Sequence, residues 1–261
     1  MTDHAARGVR RAGALRVPEV GVYFWILKGL STALGESTSD FLVHRLHPVP
    51  AVLLGFGGFA TALAVQFSMR RYLAWTYWCA VVMVGIFGTM AADVLHVGLD
   101  VPYAVSAVVY AIALAAVFAT WLASENTLSV HSIDSPSREV FYWCAVVATF
   151  ALGTAIGDVT AISLNLGYFP SMLLFATAVL VPAIGYRWFR WNPILSFWFA
   201  YVMTRPVGAS FADWVGKPPH ANGLGWGSGP VSIALALAIA GLVTFLSITH
   251  EDHQGHRRSS V

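Results

Sequence analysis

Four aspartates stand at a fixed distance behind four tryptophans. Phe24-Trp25 is followed by Gly35 and Asp40, and Tyr77-Trp78 by Gly88 and Asp93. Tyr142-Trp143 leads in the same way to Gly153 and Asp158, and Phe197-Trp198 to Gly208 and Asp213. In every copy the Gly comes ten residues after the Trp and the Asp fifteen. Glu36 adds a fifth carboxylate, and Lys28 and Arg205 are the cations of the same segments. Carboxylate oxygens are hard ligands that suit Mg, Mn or Ca better than Cu or Zn. Grouped carboxylates also disfavour one another's ionised form and so invite protons.

This chemistry requires the side chains to share a face, and helical geometry provides one. At about 100° per residue, positions 0, 3, 7, 11 and 15 after the Trp fall within one stripe about 120° wide. The first stripe reads Trp25, Lys28, Thr32, Glu36, Asp40, and the second Trp78, Val81, Gly85, Thr89, Asp93. The third reads Trp143, Val146, Phe150, Thr154, Asp158, and the fourth Trp198, Tyr201, Arg205, Ala209, Asp213. Fifteen residues of helix separate Trp from Asp by about 22 Å. A cavity with an acidic end follows, with Lys28 and Arg205 deeper and Thr32, Thr89 and Thr154 as auxiliary oxygens.

The elements that carry these stripes recur as well. The repeat starts are 53, 65 and 55 residues apart, the spacing of a duplicated structural unit. Hydrophobic residues make up 57% of the 261-residue chain and charged residues 11%. A soluble domain carries about 25% charged residues, so this chain cannot cover itself with a wettable surface. The apolar runs predict eight membrane-spanning helices near 20–43, 49–69, 73–95, 101–123, 139–162, 168–188, 193–215 and 228–248. The expected fold is an all-α membrane protein of four parallel two-helix repeats, motif helices inside and plain helices outside. The units are 20–72, 73–123, 139–190 and 191–249, with an N-terminal segment 1–19, a polar linker 124–138 and a tail 250–261.

Basic residues favour the cytoplasmic side of a membrane. With an even number of spans, eleven of the fifteen Lys and Arg fall on the side of both termini, against Arg45 and Lys217 opposite. Both termini are therefore expected in the cytoplasm. The basic start resembles a signal peptide, but the first span is long, contains Lys28, Glu36 and Asp40, and lacks a small-residue cleavage site. It reads as a retained helix. A net charge of +2 supports no nucleic-acid partner. Cys79 and Cys144 read as small buried residues, with a disulfide disfavoured in a reducing compartment.

The four Trp, together with Thr32-Ala33-Leu34-Gly35-Glu36 leading to Asp40, resemble a bacterial membrane-protein family known as a repeat of unknown function. Its members carry four tandem repeats, each with two transmembrane segments and a characteristic Trp. The resemblance covers residues 18–250. It implies eight helices and residence in the bacterial inner membrane, and it brings no reaction or substrate with it.

Each residue also has a plainer reading. The Trp read as interfacial anchors and packing wedges, the Gly as sites of close helix approach. Gly35 and Gly208 have a second reading as helix breaks that offer carbonyls to an ion. Lys28 and Arg205 read as internal counter-charges, Arg205 through a fork to Glu36 or an Asp, against direct capture of an anionic solute. Asp40 with His44, and Asp93 with His96, have spacings that could share a metal. His250, His253 and His256 in the tail could collect one.

Three functions follow from the residues. The first is an inner-membrane transporter that holds a divalent metal, with or without proton coupling, at Asp40, Asp93, Asp158, Asp213 and Glu36. The second is a proton-coupled transporter of a small zwitterionic or anionic solute gripped by Lys28 and Arg205. The third is a non-transporting membrane scaffold. No hydrolase, nucleotide-binding or zinc-protease motif is present, so no enzyme activity and no resident cofactor are expected. The expected partners are the lipid bilayer and a small ion or solute, and a homo-oligomer is compatible with the sequence.

Overall fold

The computed structural model describes residues 15–249. Eight long helices account for most of them: α1 (Val22–Arg45), α2 (Pro48–Ser68), α3 (Ala74–Asp93), α4 (Tyr103–Glu125), α5 (Pro136–Asp158), α6 (Tyr168–Phe189), α7 (Pro193–Gly216) and α8 (Ser228–Thr249). No strand occurs among the described residues. The expected tail metal site at His250, His253 and His256 lies outside the described residues, as does most of the basic N-terminal segment.

Local chemistry sets several boundaries. Pro136 and Pro193 occupy first-turn positions, where a missing N–H is harmless. Asn192 Oδ1 accepts from the Ile194 and Leu195 amides at 2.9 and 3.2 Å and caps α7. Asn126 and Arg190 adopt left-handed backbone (both φ 56°) and end α4 and α6. After Asp93 and Asp158 the helices widen into π-turns, Val94–Gly98 and Val159–Ser163. Such turns recur at functional positions because they loosen the backbone ladder.

α2, α3, α4, α5, α6 and α8 are each long and apolar enough to cross a membrane. The outer helices expose large aliphatic side chains, among them Leu53 (65%), Ile112 (65%) and Leu237 (68%). In water such a surface would aggregate; in lipid it is solvated. The chain is a membrane protein. Cys79 and Cys144 lie on exposed faces of α3 and α5, so the expectation of buried cysteines is corrected. Small side chains at these two positions fill no core space.

The motif helices form the inner layer, as their stripes predict. α1 packs on α3, α3 on α5, α5 on α7, and α7 returns to α1. The outer helices follow a second rule. α2 lies mainly on α3, α4 on α5, α6 on α7 and α8 on α1, so each covers the motif helix of the following unit. The order is cyclic, and α8 closes it.

Candidate functional site

The motif residues repeat this cycle in atomic detail. A Cβ added to Gly35 would stand 2.8 Å from the Gly85 carbonyl carbon, and one on Gly88 would meet Phe150 Cβ at 3.0 Å. A Cβ on Gly153 would meet Arg205 Cγ at 2.3 Å, and one on Gly208 would overlap the Thr32 hydroxyl. Each motif Gly thus receives the residue seven after the Trp of the next repeat, and the fourth receives that of the first. Gly is required because the inner helices approach too closely for any side chain. Helix α1 runs unbroken through Gly35 and α7 through Gly208, so the reading of these glycines as helix breaks is corrected.

The aromatic pairs obey the same rule at the opposite end of the stripes from the aspartates. Phe24 packs on Trp78 (centroids 5.8 Å), Tyr77 on Trp143 (5.6 Å), Tyr142 on Trp198 (6.2 Å) and Phe197 on Trp25 (5.7 Å). Eight rings form a closed girdle, and Trp78, Trp143 and Trp198 are buried within it. Of the two expected roles, interfacial anchor and packing wedge, burial gives these three the second, because each indole has a neighbouring repeat to bury against.

Below the girdle, toward the aspartates, the site has two levels. At the first, the Arg205 guanidinium on α7 reaches the other three motif helices through one nitrogen. Its Nη2 donates to Glu36 Oε2 at 2.7 Å, to Thr154 Oγ1 at 2.8 Å, and to the Thr89 hydroxyl. Glu36 comes from α1, Thr89 from α3 and Thr154 from α5. The expected pairing of Arg205 with Glu36 is present, as a single shared nitrogen and not a fork. Arg205 is fully buried, and its Nε and Nη1 have no partner.

Lys28 departs from expectation. It neutralises no carboxylate. Its Nζ lies 4.0 Å from the Phe150 centroid and 4.1 Å from that of Tyr201, buried and without a hydrogen-bond acceptor. Phe150 and Tyr201 lie on the predicted stripes, but nothing in the pattern marked them as a cage for an ammonium. Thr32 stays at the Gly208 contact and donates to Gly29 O at 2.7 Å, which takes it out of the polar cluster.

At the second level the four aspartates divide into two kinds. Asp40 and Asp213 share Lys217, at 2.5 and 3.6 Å from its Nζ. Lys217 escaped the sequence reading, which counted it only as an outer-loop charge; its one signal is the four-residue spacing from Asp213. The 217–229 loop holds it by folding back, with Gly225 N donating to Lys217 O at 2.8 Å and Leu224 N to Trp214 O at 2.7 Å. Burial on its own would lower the Lys217 ammonium, but Asp213 and Asp40 outweigh it and raise the group above the usual lysine range. A cleft of about 350 Å³ lies here, lined by Asp40, Phe41, His44, Lys217 and Ser228 among others.

Asp93 and Asp158 have no hydrogen-bond or ion-pair partner among the described residues. They lie within electrostatic reach of each other, of Glu36 and of Lys217. Both are only partly exposed and stand where their helices turn π. No three His, Cys, Asp or Glu among the described residues are grouped to hold a metal ion. His44 Nδ1 contacts the Asp40 main-chain carbonyl at 2.7 Å, and His96 stacks on Tyr103 with centroids 4.5 Å apart. The structure thus gives the five-carboxylate metal set no common point, since Glu36, Asp40 and Asp213 already serve cations of the chain.

A further polar cluster lies beyond the girdle. Glu139 is fully buried, accepts from Arg16 Nη1 at 2.5 Å and from Gln66 Nε2 at 2.9 Å, and joins the segment before α1 to α2 and α5. Trp198 Nε1 donates to Leu128 O at 2.9 Å and ties the linker to the same end. Apart from Trp198, none of these residues lies on a motif stripe, so the repeat offers no signal for them.

A family model described as a Repeat of Unknown Function (DUF347) matches residues 76–127, 141–191 and 196–252, more than half of the chain. The chain belongs to the DUF347 family. Each matched DUF347 segment begins two residues before a motif Trp, namely Trp78, Trp143 and Trp198. Residues 24–40 supply a fourth member by geometry, since Gly35, Thr32 and the Phe24-Trp25 pair complete every cyclic contact of the DUF347 units. No curated protein and no solved structure matches the chain.

Proposed function

We propose that the protein is a proton-coupled transporter of a small zwitterionic or anionic solute in the bacterial inner membrane, with both termini in the cytoplasm. The observation that carries this reading is the buried tie from Arg205 to Glu36, Thr89 and Thr154, one residue from each motif helix. A charge pair deep in an apolar bundle is rarely a net gain in stability against apolar residues of similar volume. Within a membrane it is a functional group by default. The helices too polar for the apolar criterion, α1 and α7, supply both ends of the pair and pack among the inner helices, which supports a reading in which all eight helices cross.

The steps follow from the groups present. Protons reach Asp93 and Asp158 first, at the partly exposed end of the axis. A proton passed to Glu36 cancels its charge and frees the Arg205 guanidinium for an anionic solute. The tie to Thr89 and Thr154 then has no anchoring carboxylate, and the four inner helices can part. Return of the proton to the other side restores the closed arrangement. The metal reading is the weaker one, because three of its five carboxylates are already paired within the chain.

Uptake of labelled glycine, lactate and succinate into protein-containing liposomes under an imposed pH gradient tests the reading, because one proton carried with one monoanion moves no net charge. Solute uptake that grows with the proton gradient and vanishes in Glu36→Gln is expected. Uptake equal to that of protein-free liposomes for every solute, or unchanged in Glu36→Gln, removes transport. If the same variants only lower thermal stability, the protein is a scaffold.

A further inference from the structure

Between the girdle and Glu36 the bundle holds two cations and one anion. Lys28 is 1% exposed and Arg205 fully buried. Both face one ring: Lys28 Nζ is 4.0 Å and the Arg205 guanidinium carbon 5.2 Å from the Phe150 centroid. Glu36 is the one carboxylate bonded to either of them, and only through Arg205 Nη2. Lys28 Nζ, Arg205 Nε and Arg205 Nη1 remain buried without acceptors.

The surrounding walls cannot compensate them. Val81, Val146, Phe150 and Tyr201 are fully buried and carry no charge at neutral pH. Aromatic faces attract a cation but do not neutralise it. Asp93 and Asp158 reach Arg205 only electrostatically, so Lys28 Nζ, Arg205 Nε and Arg205 Nη1 are three buried donors without an acceptor among the described residues, and a donor left so is costly.

We infer that Lys28 and the unengaged nitrogens of Arg205 form the seat of a small monocarboxylate, with Phe150 between them. The inference rests on the transport reading of the same axis and names the class of group carried. Both groups present donors and no acceptor, so the occupant must bring acceptor oxygens, and a tetrahedral phosphate or sulfate is bulkier than a planar carboxylate. A planar carboxylate offers two oxygens, one for the Lys28 ammonium and one for a guanidinium N–H. Chloride carries the same charge but offers no pair of directed acceptors. The seat lies against Gly85 and Gly88, whose absent side chains leave Phe150 its place.

The test uses the full chain purified in detergent, with thermal unfolding followed in sodium acetate, propionate, chloride or phosphate at constant ionic strength. Acetate and propionate should raise Tm saturably by several degrees, and chloride and phosphate should not. Lys28→Met should raise Tm without ligand, since a buried amine without an acceptor is gone, and should abolish the acetate response. Lys28→Arg should keep it. No response to carboxylates, an equal response in Lys28→Met, or a chloride or phosphate response equal to that of acetate overturns the assignment. Unfolding requires no flux, so the two readings fail separately. Proton-driven uptake without an acetate shift removes the carboxylate seat alone, and an acetate shift without uptake removes transport alone.

Discussion

Replacing Gly35 by alanine tests the cyclic packing most directly. The new Cβ would lie 2.8 Å from Gly85 C and 2.9 Å from Gly85 Cα, where ordinary contact begins at 3.4 Å. The obstacle is backbone, so no rotamer change relieves it, and α1 must move from α3 by about 0.6 Å. Overpacking of this kind costs about 1–3 kcal/mol, and a rigid backbone neighbour puts it near the upper end. The helix gains about 1 kcal/mol when Gly becomes Ala, leaving a net loss of about 2 kcal/mol. For a chain of this size that lowers Tm by roughly 4–8 °C. Gly29→Ala is the control on the same helix, since nothing lies within 4 Å of the added carbon. It should raise Tm by about 2–4 °C from helix propensity alone. Thermal unfolding of both variants in one detergent decides the matter. A Gly35→Ala protein as stable as wild type, or shifted in the same direction as Gly29→Ala, refutes the close approach of α1 and α3.

Four further outcomes are expected. Arg205→Met leaves Glu36 buried and unpaired and should cost about 3–5 kcal/mol, with much of that recovered in the double variant Arg205→Met/Glu36→Gln; denaturation of the four proteins of this cycle measures it. Lys217→Ala breaks pairs that remain partly solvated, 26% and 13% exposed for Lys217 and Asp40, so Tm should fall by no more than the equivalent of about 1 kcal/mol. Gly223→Ala would drive a carbon to 2.0 Å from Lys217 O and should loosen the 217–229 loop, read as faster cleavage there by an added protease. Cys79 and Cys144 should react in nanodiscs with an apolar maleimide and resist a charged one, because their exposed faces meet lipid.

Much of the inner layer was legible because two periodicities coincide in the sequence. The repeat gives the spacing of the helices and the 3.6-residue turn gives the shared face, so Asp40, Asp93, Asp158, Asp213, Glu36 and Arg205 could be assigned to one axis before any coordinate. The helix ends also fell close to expectation, since Pro, Asn and Gly mark them. What the sequence concealed depends on neighbours in space. Nothing in the residues around Lys28 shows that Phe150 and Tyr201, from two other helices, would enclose it. Lys217 lies outside every span, and only the fold of the Gly-rich loop carries it back to Asp40. The indoles of Trp78, Trp143 and Trp198 looked interfacial by depth, while the partner that buries each is the aromatic residue of the preceding repeat. Glu139 stands at a helix start where a solvated acid is ordinary, and its burial depends on Arg16 and Gln66 arriving from distant segments.

The cyclic contacts describe what four separate copies of one unit would build if they assembled as a homotetramer. Identical copies, however, must present the same residue at each height of the axis, and four arginines at one level would repel each other. Joining the copies end to end lifts that restriction. The level seven residues after the Trp can then hold Thr32, Gly85, Phe150 and Arg205, a hydroxyl, a gap, a ring and a charge, each set against the motif Gly of the preceding repeat. Covalent linkage thus lets a symmetric frame enclose an asymmetric interior.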